Sequence, residues 1–326
     1  MAKMTMVEAI NLALRQEMAG DERVVLLGQD IGADGGVFRV TDGLFATYGE
    51  RRVVDTPLAE SAIVGMAIGM AIHGLRPVAE IQFSGFLYQA FHQLENHAAR
   101  LRWRSRGRLS VPMVLRAPYG GGVRALEHHS ESREAYWAHT PGLKVVIPSG
   151  PRNARALLVS ALRDPDPVVF YEPKALYRAF REEVPEEEET LPLGQAHIAR
   201  PGSGPTMIAY GAMLLPTLEA AEVLAREDGV AAEVIDLRTI APLDSETLAA
   251  SVRKSGRAVI VHEAPLSFGP GAEIAASLME EAFHYLEAPI ERVAGFDLVI
   301  PYFSREKSYL PGVDRIVAAA RRTLQF

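Results

Sequence analysis

The sequence contains no cysteine in 326 residues. That excludes disulfides, thiolate metal sites and a cysteine nucleophile, and it agrees with a cytoplasmic home. Long apolar runs are also missing. The uncharged run Ser61–Ile72 is too short to span a bilayer, so no membrane contact is expected. The opening MAKMTMVEAINLAL carries Glu8 where an export signal would need an apolar core. There is no basic excess: net charge is −7 and the isoelectric point is near 5.8. Nucleic-acid backbones demand clustered Lys and Arg, so no nucleic-acid partner is expected. Glycines at 28, 32, 35 and 36 follow a strand but do not give G-x-G-x-x-G opening a helix, and no Walker loop occurs. That stretch reads as a flexible or ligand-facing loop, or as plain turn chemistry.

Apolar content of 48% and charged content of 23% describe a globular chain long enough for two domains. Thr5-Met6-Val7-Glu8 reads as a capping box opening a first helix. Apolar strands then alternate with helices through residue 172, which predicts a mostly parallel sheet flanked by helices. Residues 181–194, REEVPEEEETLPLG, are an acidic, proline-bearing connection. They divide a domain over 1–180 from a smaller α/β domain over 195–326, where the alternation repeats.

The most informative stretch is 53–86. A short strand, Val53–Val54, runs into Asp55-Thr56-Pro57-Leu58-Ala59-Glu60 and then a helix of Ala, Ile, Val, Gly and Met. Ala62, Gly65 and Gly69 fall on one face, where another backbone can come close. Glu60 is an ionisable group at the mouth of a helix that is apolar all round, a kind of helix usually buried. Burial would raise its pKa and suit it to catalysis. The plainer reading is a first-turn acid that favours the helix dipole.

Further on, the Arg100, Arg102, Arg104, Arg106, Arg108 cluster reads as a solvated or subunit-pairing face. Gly120-Gly121-Gly122 follows a strand and leads to Glu127-His128-His129-Ser130. The His pair has no third metal ligand at a familiar spacing. His129 is either an acid or base at a site of strand ends or a surface histidine. His262-Glu263 ends a strand in the second half, where a loop pair at an interface is the better reading.

DTPLAES with its small-residue helix, EIQF, GGGV with HHS, PGLKVVIPS, DPDPVVFYEPKALYR, IAYGAM and EVIDLRTIAPLD occur in that order. In these motifs, over essentially its whole length, the chain resembles the beta subunit of the thiamine-diphosphate-dependent decarboxylase component of 2-oxo acid dehydrogenase complexes. The resemblance implies a transketolase-like pyrimidine-binding domain followed by a transketolase-like C-terminal domain. It implies that Glu60 hydrogen-bonds the aminopyrimidine of thiamine diphosphate and favours its imino form. Leu58, Ala59, Gln82 and Phe86 are implied around that ring, with Gln29 near it. His129 is implied to face the substrate and to assist acyl transfer to a lipoyl group. The chain lacks the Gly-Asp-Gly stretch that holds Mg²⁺ and the diphosphate in thiamine enzymes. An alpha subunit is therefore implied to supply that part, in an alpha2beta2 assembly.

Other carry-overs concern the periphery. Ala161, Asp164 and Asp166 align with a monovalent-cation loop, suited to K⁺, whose last position is often Asn in relatives. Phe326 aligns with chain ends that meet the subunit-binding domain of the dihydrolipoyl acyltransferase, whose lipoyl domain is the acyl acceptor. Where relatives carry a glutamate, linked there to proton passage between cofactors, this chain has Gln29. An amide cannot carry that proton. Pyruvate is the favoured 2-oxo acid and 2-oxoisovalerate, the branched-chain substrate, the alternative. A non-catalytic assembly or regulatory subunit and a split transketolase or acetoin-cleaving half are the readings from other classes.

Overall fold

Near-continuous apolar runs become parallel strands covered on both faces, and this pattern builds both halves of the chain. In the computed structural model, which describes residues 1–326, Met1–Tyr119 and Tyr136–Leu193 form one unit. Gly120–Ala135 and Gly194–Phe326 form a second. The elements begin β1 (Ala2–Met4), α1 (Met6–Gly20), β2 (Val24–Gly28), α2 (Leu44–Tyr48), β3 (Val53–Asp55), α3 (Glu60–Ile72) and β4 (Arg76–Glu80). There follow α4 (Leu101–Arg104), β5 (Val114–Tyr119), α5 (Glu134–Ala138), β6 (Lys144–Val146), α6 (Pro151–Arg163), β7 (Val168–Pro173) and β8 (Glu182–Val184). The remainder is β9 (His197–Arg200), β10 (Thr206–Ala209), α7 (Leu214–Asp228), β11 (Glu233–Asp236), β12 (Thr239–Ala241), α8 (Ser245–Ser255), β13 (Ala258–Pro265), α9 (Pro270–Ala282), β14 (Glu291–Gly295), α10 (Glu306–Tyr309) and α11 (Val313–Thr323).

In the first unit the strand order β6-β7-β5-β4-β2-β3 is parallel throughout. The strands β2, β5 and β7 are buried along their whole length. The Thr5 capping box forms: Thr5 N donates to Glu8 Oε2 at 2.7 Å and Glu8 N to Thr5 Oγ1 at 3.4 Å. The acidic segment is more than a connection. Its β8 pairs antiparallel with β1, Ala2 opposite Val184. The second unit carries the sheet β14-β13-β10-β11-β9, parallel except for β9.

Two expectations change in the first unit. An unbroken helix over Tyr88–Leu101, which the apolar spacing between β4 and β5 would suggest, does not form: the stretch is a 3-10 segment, Ser84–Ala90, a π turn, Gln93–Ala98, and α4. The π turn closes with Ala99 N donating to Leu94 O at 3.0 Å. Polar side chains enter the ladder there, with Arg104 Nη1 donating to Asn96 O. Secondly, α3 is buried on one face only. Ile63, Val64, Ala67, Ile68 and Ala71 face the core, whereas Ala62, Met66 and Ile72 are exposed. A Cβ added to Gly69 would meet nothing within 4 Å. The close approach of a second backbone expected along Ala62, Gly65 and Gly69 is therefore not made within this chain. No helix is long and apolar enough to cross a membrane.

Candidate active site

The carboxyl ends of β2, β3 and β4 lie side by side, since Gly28 pairs with both Asp55 and Glu80. Open parallel sheets bind ligands at such ends. The glycine-rich loop after β2 is anchored there rather than flexible. Gly32 N donates to Asp55 Oδ1 at 2.6 Å and Ala33 N to Asp55 Oδ2 at 3.2 Å. A Cβ on Gly32 would come within 2.5 Å of the Asp55 carboxylate, so only glycine fits. Thr41 Oγ1 donates to Ile31 O at 2.7 Å and completes the loop.

Gln29 and Gln82, two of the residues expected around a pyrimidine, meet at this edge. Gln82 Nε2 donates to Asp30 Oδ2 at 2.9 Å and reaches Gln29 O at 3.5 Å. Glu60 is the first residue of α3 and Ala59 its N-cap. The helix start is tied to the segment bearing Phe86 by Ser61, whose hydroxyl donates to Gln89 O. Phe86 packs edge-on against Phe83, with ring centroids 5.7 Å apart, and Phe83 in turn meets Phe38 at 5.6 Å. Leu58 is 68% exposed, and Glu60, Ala59, Gln82, Phe86 and Gln29 are each half-buried. The burial expected of Glu60 is thus not supplied by this chain.

A buried ionic network lies beneath this edge, and the sequence reading missed it. Arg116, 1% exposed, spans two carboxylates on neighbouring strands. Its Nη1 donates to Glu80 Oε2 at 2.7 Å, and its Nε and Nη2 to the two Glu172 oxygens at 2.6 and 3.0 Å. The Tyr177 hydroxyl donates to Glu172 Oε2 at 2.6 Å. Burial pushes the Glu80 carboxyl above its ordinary value, against the pull of Arg116. Burial likewise raises the Tyr177 phenol. The signal in the sequence was a charge inside or at the end of each of three mainly apolar strands, which is costly to bury unless paired.

His129 lies in the second unit, in a short 3-10 turn over Glu127–His129. Its ring centroid is 4.1 Å from that of His128, and both residues are half-buried. Gly120 N donates to Glu131 O at 3.1 Å and closes the loop at its base. Beyond it, the Tyr210 hydroxyl donates to Glu134 Oε1 at 2.6 Å. Glu134 is fully buried, and that burial pushes its carboxyl up to about 7 despite the hydrogen bond. A cavity of about 30 Å³ bordered by Ser130, Arg133, Glu263, Ile300 and Tyr309 has room for a water but not for a cofactor.

The expected cation loop does not fit a cation as it stands. Asp164 Oδ2 pairs with Lys144 Nζ at 2.5 Å, and Asp166 Oδ1 with Arg102 Nε at 2.5 Å. Asp164 N donates to Ala161 O at 3.3 Å, and Asp166 N to Asp164 Oδ1 at 2.9 Å. Arg76 Nη1 donates to Leu162 O at 2.8 Å. The oxygens that would coordinate K⁺ are engaged by the chain's own donors. In the arginine cluster, Arg100 pairs with Glu95 and Arg102 with Asp166, both arginine side chains remaining partly exposed.

Residues 2–179 match the family model described as transketolase, pyrimidine binding domain, and residues 194–316 that of transketolase, C-terminal domain. A protein of Staphylococcus epidermidis named pyruvate dehydrogenase E1 component subunit beta is 52% identical over 326 residues, covering 100% of both chains. One of the same name from Acholeplasma laidlawii is 51% identical over 322 residues, 99% of this chain and 98% of its own. A solved structure described as a split-gene transketolase, inactive beta4 tetramer, superposes with a TM-score of 0.81 over 99% of both chains. At 24% identity it speaks for the fold alone.

Proposed function

The chain belongs to the family of beta subunits of the pyruvate dehydrogenase E1 component, built from transketolase pyrimidine-binding and C-terminal domains, and we propose from this that it grips the pyrimidine end of thiamine diphosphate in an enzyme completed by an alpha subunit. When bound, that cofactor supplies the carbon nucleophile on which a 2-oxo acid loses carbon dioxide. The observation that carries the reading is full-length similarity at about half identity, joined to a carboxylate at the first position of α3.

The side chains suit a flat, weakly basic ring. An exposed leucine, Leu58, and a half-exposed aromatic, Phe86, offer apolar surface, and Ala59 adds no bulk. Glu60 offers a carboxyl group to a ring nitrogen, and it holds or releases a proton there as the ring changes tautomer. Gln82, fixed by Asp30, offers an amide beside it. Gln29 keeps its place next to Gln82 but carries no proton. The glycine amides at 121 and 122 are occupied by the chain's own carboxylates and are closed to a diphosphate. Because the chain lacks a Gly-Asp-Gly stretch, Mg²⁺ and the diphosphate fall to the alpha subunit, in an alpha2beta2 assembly whose second chain covers Glu60 and desolvates it. His129 serves acyl transfer to the lipoyl domain. The segment around Phe326, which is 74% exposed, meets the subunit-binding domain of the acyltransferase.

The test is decarboxylation by this chain together with an alpha subunit, with pyruvate and 2-oxoisovalerate compared. The reading expects pyruvate to be preferred. It expects Glu60→Gln to lower turnover by roughly a hundredfold or more with an unchanged unfolding midpoint. An active, well-folded Glu60→Gln enzyme would remove Glu60 from the mechanism.

A further inference from the structure

Three successive glycines after a strand form the kind of backbone that cradles an anion. At 120–122 the anions come from the chain itself. Gly120 and Gly122 have positive φ, +81° and +92°, which turns the neighbouring amides to one side. Gly121 N donates to Glu263 Oε2 at 2.8 Å. Gly122 N donates to Glu306 Oε1 and Arg124 N to Glu306 Oε2, each at 2.9 Å. Both glutamates are buried, Glu263 at 3% and Glu306 at 4% exposure. Glu263 stands on β13 and Glu306 opens α10, so two separate elements of the second unit hold one loop. A Cβ on Gly120 would fall 2.5 Å from Glu263 Oε1, which fixes how closely strand end and loop approach.

Hydrogen bonds from amides to a buried carboxylate are charge-assisted and directional. Their effect is to fix the path of the segment that carries His128 and His129. Glu263 secures its start and Glu306 its next turn. Tyr210 secures its far end through Glu134. The His129 ring is only half-buried and needs a rigid backbone to face a reacting group reproducibly.

We propose that Glu263 and Glu306 are positioning residues for His129, acting through the glycine loop and touching neither cofactor nor substrate. The proposal rests on the reading of His129 as the side chain that assists acyl transfer. Glu306 is the sharper test. It accepts from two amides with two oxygens, and glutamine has one oxygen and a donating NH₂ that would oppose the second amide.

The experiment uses the enzyme reconstituted with its alpha subunit, assayed in two ways. Decarboxylation of pyruvate with ferricyanide as electron acceptor needs no lipoyl group, whereas acylation of a lipoyl domain does. For Glu306→Gln, acylation should fall by roughly tenfold or more, the scale of one lost charge-assisted hydrogen bond. The loss should appear in kcat rather than in KM for the lipoyl domain, with ferricyanide turnover near wild type. Combined with His129→Ala it should add nothing beyond the loss from His129→Ala alone, because the two act as a unit. Gly122→Ala, which strains the same turn from the loop side, should give the same selective loss even where Glu306→Gln does not assemble. The proposal is overturned if His129→Ala impairs acylation and an assembled Glu306→Gln or Gly122→Ala enzyme does not, or if the losses multiply. Normal acylation by His129→Ala would instead sink the role given to His129.

Discussion

Glu134 shows what a single buried carboxyl does to the pH dependence of this fold. Burial raises its pKa from an ordinary 4.5 to about 7, so the native state holds a proton that the unfolded chain has released. The stabilisation is fully present below pH 4.5 and is lost as pH rises toward about 7. Glu134→Gln keeps an acceptor for the Tyr210 hydroxyl and removes the titration. Urea unfolding of the variant should therefore lack the decline seen in the parent between those values. An identical pH profile in the two proteins would mean that Glu134 is ionised in the native state. Glu60 is the contrasting case. It is half-exposed in this chain, so the proposed role at the pyrimidine calls for a second chain to cover it.

At the scale of elements, α3 carries the clearest consequence. Glycine in a helix interior costs roughly 0.5–1 kcal/mol relative to alanine. A Cβ on Gly69 meets nothing within the chain. Gly69→Ala should therefore raise the stability of the isolated chain by about that amount. Gly69→Leu should leave the isolated chain folded and impair its assembly with other chains in sedimentation. Normal assembly of Gly69→Leu would show that this face meets solvent in the complex.

The small-residue pattern of this helix was legible in the sequence because Ala62, Gly65 and Gly69 share a face. What was not legible was that the chain itself leaves the face open. The core strands of both sheets were legible from apolar runs, and the Thr5 cap from its side chains, whereas the short, partly exposed β1, β8, β9 and β12 were not. The Gln93–Ala98 π turn was not, because one residue more per turn leaves the apolar spacing close to that of an α-helix. The Arg116 network escaped because pairing across strands fixes it, not spacing along the chain. The membership of residues 120–135 in the second unit escaped for a similar reason. Their partners, Glu263 and Glu306, lie far along the sequence.

For the whole molecule, the central claim is that this chain is one half of a cofactor site. In that proposal Glu60, Leu58 and Phe86 face the pyrimidine. Its glycine amides at 121 and 122 are taken by internal carboxylates, and no group of three or more His, Asp or Glu side chains stands ready for a metal. The two family matches and the full-length relatives agree with a chain that functions in company. The most direct test is calorimetry of thiamine diphosphate with Mg²⁺, titrated into this chain alone and then into the chain assembled with an alpha subunit. The account predicts no saturable binding to the single chain and tight, Mg²⁺-dependent binding to the assembly. Tight binding by the single chain would contradict it, because a diphosphate site would then have to lie among these residues.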